Sequence, residues 1–121
     1  MKRLVVWIAS LAVLAGCDST RPNGPGTVTA ALVSPNGAEG AAILDVTGTV
    51  ESFKPSNNVS MYTTPSAAGT RVILVSLTPG DLSVKLSLAD VSATPQVSVV
   101  EVADGDDKVR PSLTGYRVEF R

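Results

Sequence analysis

The chain has 121 residues, room for one domain, and carries 10 basic against 11 acidic side chains. That balance holds no Lys/Arg cluster of the kind that nucleic acid or a polybasic membrane patch requires. There is no His, and the single Cys is Cys17, which excludes Ser-His-Asp triads, Cys-His dyads, His- or thiolate-based zinc sites and internal disulfides from the folded part.

Lys2 and Arg3 precede an apolar run over residues 4–14, well short of the roughly 20 residues that span a bilayer. A positive start, a short apolar run and small residues after it have the layout of an export signal. The only Trp, Trp7, lies in this run, so the remainder lacks the commonest platform for stacking on sugars or bases. The run ends in Leu14-Ala15-Gly16-Cys17, which resembles the lipobox of bacterial lipoproteins. The resemblance covers four residues. It implies that residues 1–16 are a helical signal peptide that is removed and that Cys17 is acylated with palmitate-type chains. The protein would then be anchored to the bacterial cell membrane, facing the periplasm or the exterior. More than one acyl chain, at about 0.8 kcal/mol per buried CH₂, gives stable anchoring. Ordinary secretory cleavage beside Ala15 and Gly16 is the plainer alternative. Asp18 resembles the inner-membrane retention signal of enterobacterial-type sorting. Losing Lys2 and Arg3 with the signal leaves 8 basic and 11 acidic side chains, a net charge of −3.

Residues 17–26 are expected to be the lipidated Cys and a linker, since Pro22, Gly24, Pro25 and Gly26 oppose both helix and strand. From residue 27 onward the apolar period is two, with turn residues about every ten positions. A first strand is predicted over 27–34, with Val28, Ala30 and Leu32 sharing a face, followed by a turn at Ser34-Pro35-Asn36-Gly37. A second is predicted over 41–50, with Leu44 and Val46 facing in and Gly48 marking a bulge or close approach. Residues 51–58 read as a loop with Phe53 as an anchor over the core, and 59–63 as a short third strand. The most apolar run, 71–77, is expected to be a central strand buried almost throughout. It is predicted to form a hairpin with 82–90 through a type II turn at Thr78-Pro79-Gly80-Asp81, with Gly80 at positive φ. The second arm alternates cleanly, Leu82, Val84, Leu86 and Leu88 on one side and Ser83, Lys85 and Ser87 on the other. A short helix is conceivable near 90–94. Strands over 96–102 and 116–120 complete the set, the last with Tyr116, Val118 and Phe120 inward.

Seven short strands over 27–121 predict an all-β, Ig-like antiparallel sandwich, with closure into a barrel as the alternative. The run Gly-Ala-Glu-Gly-Ala-Ala-Ile-Leu at 37–44 and the closing Gly-Tyr-Arg-Val-Glu-Phe at 115–120 resemble the openings and endings of cohesin-type modules in bacterial surface proteins. That resemblance implies a sandwich with a binding role.

For chemistry, Asp104-Gly105-Asp106-Asp107 offers three carboxylates of the hard-oxygen type that Ca²⁺ uses. Asp104, Asp106 and Asp107 are therefore the calcium candidates, against the plainer reading of a solvated Asp-Gly turn. The EF-hand pattern is not met, because the position for its bidentate Glu is Gly115. Glu39, Asp81, Asp90 and Glu101 are scattered along the chain and read as solvated surface acids. Tyr62 and Tyr116 could line a sugar-binding face but read as residues at the edge of the core. No catalytic residue is assigned. The expected function is a membrane-anchored envelope module for binding, adhesion or structure, holding an envelope protein or glycan but no nucleic acid. A small carboxylate-based glycan hydrolase is the alternative.

Overall fold

The computed structural model describes residues 23–121; the lipobox, Cys17 and the expected signal helix lie outside them. Alternating apolar positions and turn-forming residues divide this stretch into eight strands. They are β1 (Gly26–Val33), β2 (Glu39–Thr47), β3 (Ser52–Pro55), β4 (Val59–Ser66), β5 (Gly69–Gly80), β6 (Ser83–Leu88), β7 (Gln96–Ala103) and β8 (Arg117–Phe120). Among the described residues there is no helix. Residues 90–94 form a turn instead, in which Asp90 Oδ1 accepts from the Ser92 amide at 2.9 Å.

Two four-stranded sheets result, one ordered β3-β6-β1-β8 and the other β4-β5-β2-β7. All pairings are antiparallel. The protein is an all-β sandwich, and β3 adds an eighth strand to the seven read from the sequence. Only β4 and β5 are consecutive strands that pair; every other connection crosses from one sheet to the other. Gly69 enters β5 with φ at +153°, and a Cβ there would strike the Val46 carbonyl of β2. Only glycine allows the turn to close so tightly onto its neighbour.

The expected hairpin of 71–77 with 82–90 is not formed. β5 lies between β2 and β4 in the second sheet, and β6 lies between β1 and β3 in the first. Pro79 and Gly80 belong to β5, and Gly80 is not at positive φ. Only Asp81 and Leu82 bridge the two sheets. Alternation reports that each strand has one apolar face. It does not distinguish neighbours in one sheet from partners facing across a core, and both arrangements bury the same residues. Residues 51–58, expected as a loop, contain a strand. Phe53 pairs opposite Leu86 as part of strand β3, where its ring packs against the core.

The inward faces of the alternating strands meet as expected, whereas residues 71–77, expected to be buried almost throughout, alternate as well and leave Val75 and Leu77 exposed. Leu44, Val46, Val72, Leu74 and Val102 come from the second sheet, and Ala30, Val84, Leu86 and Leu88 from the first, all buried. Tyr116 and Val118 pack against this cluster. Phe120 faces inward by its register with Ala30 but stays exposed at the edge of the sheet.

Candidate functional site

The end of the sandwich where β1 finishes and β2 begins carries a buried carboxylate. From Ala41 onward the odd-numbered residues of β2 point outward, so strict alternation would expose Glu39. A register irregularity between Glu39 and Ala41 breaks that alternation and turns the Glu39 side chain under the end of the sandwich, where only 1 % of it remains exposed. The loop before it, Ser34-Pro35-Asn36-Gly37-Ala38, closes with the Asn36 amide donating to Ser34 Oγ at 3.0 Å.

Glu39 is fully partnered. Ser34 Oγ and the Tyr116 hydroxyl each donate to Oε1 at 2.7 Å, and Arg110 Nε donates to Oε2 at 3.2 Å. Asn36 Nδ2 in turn donates to the Tyr116 oxygen at 2.8 Å. Burial pushes the Glu39 carboxyl up, but the hydrogen bonds from Ser34, Tyr116 and Arg110 and the Arg110 charge outweigh it. They hold the group below its ordinary range. The residues come from positions 34, 36, 39, 110 and 116, so the network fastens the β1–β2 loop to the long β7–β8 connection. Gly40 lets the two segments meet, because a Cβ there would strike the Asp104 carbonyl. Nothing in Gly37-Ala38-Glu39-Gly40 signals a buried acid; the irregularity that buries it is a property of pairing.

Beside Glu39 lies an open depression of about 360 Å³, whose lining includes Ser34, Glu39, Asp81, Leu82, Glu119 and Arg121. Glu39 and Asp81, scattered in sequence, therefore border one recess. Asp90 and Glu101 do not line it. Asp90 instead accepts from the Gly24 amide at 3.2 Å and from Ser92, tying the entry of the chain to the opposite end of the sandwich.

Asp104 Oδ1 accepts from the amides of Asp106 at 2.8 Å and Lys108 at 3.0 Å, closing its own turn. The Lys108 and Asp106 amides also hold the Asp104 carboxyl below its ordinary range. Asp106 and Asp107 point to solvent as exposed residues. Among the described residues, no three His, Cys, Asp or Glu side chains form a group that could hold a metal ion. The three calcium candidates are thus adjacent in sequence but not gathered as ligands, because the turn that brings them close uses Asp104 as its own clasp. Tyr62 and Tyr116 share no face: Tyr62 is 62 % exposed on the outside of the second sheet, and Tyr116 belongs to the Glu39 network. Compared with protein-family models, curated proteins and solved structures, the chain matches none.

Proposed function

We propose that this chain is a bacterial envelope lipoprotein whose sandwich domain is held at the membrane by acylated Cys17 and serves binding, adhesion or structure rather than catalysis. The observation that carries the reading is Leu14-Ala15-Gly16-Cys17 at the end of a short apolar run, followed within nine residues by the first strand at Gly26. That spacing gives a tether of about 30 Å at full extension. The lack of any His, and of any Cys but Cys17, supports a non-catalytic role.

A glycan hydrolase needs one carboxyl kept protonated as the acid and a second that is free to act. Glu39 borders a recess with Asp81. However, its pKa is lowered and both of its oxygens accept hydrogen bonds, the opposite of what an acid catalyst requires.

The test is intact-mass analysis and membrane fractionation of the protein produced in a bacterium, beside Cys17→Ser. Expected are loss of residues 1–16, an added diacylglyceryl or triacyl mass on Cys17, and abolition of both by the substitution. Unchanged processing and partitioning of Cys17→Ser would sink the proposal.

A further inference from the structure

The sequence count argues against a basic surface, yet the first sheet builds one. Its outward side chains include Lys54 on β3, Lys85 and Ser87 on β6, Thr27 and Thr29 on β1, and Arg117 and Glu119 on β8, while Ala31 on the same side of β1 is buried. Lys54 pairs opposite Lys85, and Lys85 opposite Thr29. Thr29 exchanges both backbone hydrogen bonds with Arg121, at 2.9 and 2.8 Å. Lys54, Lys85 and Arg121 thus stand in one row across the sheet, about 5 Å apart per strand step, with Arg117 farther along β8.

Of the 7 Lys and Arg among residues 23–121, 4 lie on this face; of the 10 Asp and Glu, only Glu119 does. The face therefore carries a side-chain charge of +3, against −6 over the rest of the domain. Among the described residues its one ion pair is an exposed contact of 3.4 Å between Arg117 and Glu119. Among the described residues, Lys54, Lys85 and Arg121 are in no ion pair. Two lysines directly opposite each other repel, an arrangement that an external anion would relieve.

We infer that the outer face of the first sheet is a docking surface for an anionic phospholipid bilayer, against which the tethered domain lies on its side. Three features fit a membrane. Between the cations lie small hydroxyl residues, so the surface suits a laterally repeated array of phosphates. The face presents no Phe, Tyr or Trp among its outward residues, so it lacks the stacking platform of a single-strand nucleic-acid site. The chain leading back to Cys17 leaves from β1, an interior strand of this same sheet. Six residue steps separate Asn23 from Cys17, about 20 Å at most. This orientation rests on the lipoprotein reading, whereas the affinity of the face for anionic lipid does not.

The test places an environment-sensitive thiol dye on Ser52→Cys, beside Lys54, or on Thr64→Cys, on the outside of the second sheet. Each variant is the processed protein in vesicles, where acylated Cys17 leaves the new Cys as the sole thiol. Expected is a dye response at Ser52→Cys in vesicles containing phosphatidylglycerol. It should be absent in pure phosphatidylcholine, in 1 M salt, where the Debye length is about 3 Å, and in the Lys54→Glu/Lys85→Glu background. Thr64→Cys should not respond. Equal responses at both positions, or indifference to anionic lipid, would overturn the inference, as would stronger binding to an oligonucleotide than to the vesicles. Intact mass reports separately whether Cys17 is acylated. If it is not, flotation of the chain with anionic vesicles still decides the face. Each cation near such a surface is worth about fivefold in partitioning, so the double reversal should lower it by at least about 25-fold.

Discussion

The two sheets share one interior but present opposite exteriors. Outside the first sheet, Lys54, Lys85, Arg117 and Arg121 stand among serines and threonines. Outside the second, Ile43, Ile73, Val75 and Tyr62 lie to one side of a charged clasp, in which Arg71 Nε and Nη2 reach the two oxygens of Asp45 at 2.8 and 3.0 Å. The hydrogen bond from Arg71 holds the Asp45 carboxyl below its ordinary range. The first exterior thus carries an excess of cations, while the second carries the matched clasp and one acid, Glu101 opposite Ile43, that is in no ion pair among the described residues. Both faces arise from the same alternation, so the inward half of each strand is constrained by packing while the outward half is free to differ.

The largest effects are expected in the shared interior. Leu86 and Leu74 are both 0 % exposed, one from each sheet. Leu86→Ala and Leu74→Ala should each cost about 2–5 kcal/mol in urea unfolding, enough to threaten a domain of this size. A change below about half a kcal/mol for either would show that its sheet does not contribute equally to the core.

Glu39→Gln comes next, because it leaves Arg110 and the two hydroxyls without their anion. A loss of about 1–3 kcal/mol is expected at neutral pH. The pH dependence has a definite sign. A carboxyl whose folded pKa lies below its ordinary 4.5 contributes stability that is fully present above that value and is lost as pH falls through the folded pKa. The difference in unfolding free energy between the parent and Glu39→Gln should therefore be constant from about pH 6 upward and shrink below about pH 5. A difference that grew on acidification would contradict the lowered pKa.

Smaller effects sharpen the contrast between exteriors. Lys54→Glu turns a repulsive cross-strand pair into an attractive one and should gain a few tenths of a kcal/mol at low salt, fading at high salt. Leu77, 84 % exposed at the far end of β5, should tolerate substitution by Ser within about 0.5 kcal/mol in the same unfolding assay.

Much of the architecture was readable from particular residues. Leu82, Val84, Leu86 and Leu88 alternate so regularly that their burial followed directly, as did that of Leu44 and Val46. Phe53 was legible as an anchor but not as a strand residue. Lys54, Pro55 and Ser56 around it give little β signal, and β3 is held by its pairing with β6. The buried acid was illegible, because Glu39 lies on the wrong side of the β2 alternation and only the irregular pairing toward Gly80 turns it inward. The acidic stretch 104–107 was visible as a cluster, while its internal hydrogen bonds were not.

By itself, then, the sequence determined that the domain is all-β, that the alternating leucines and valines of residues 44–46 and 82–88 fill its core, and that neither His nor an internal disulfide takes part. Hydrophobic alternation and composition are local properties, written residue by residue. Tertiary structure alone decided that β5 and β6 face each other across the core instead of pairing. It also decided that Glu39 joins Ser34, Tyr116 and Arg110, and that cations from positions 54, 85, 117 and 121 share one surface. Those outcomes depend on which strands become neighbours, and strand order is set by the closure of two sheets over a common interior.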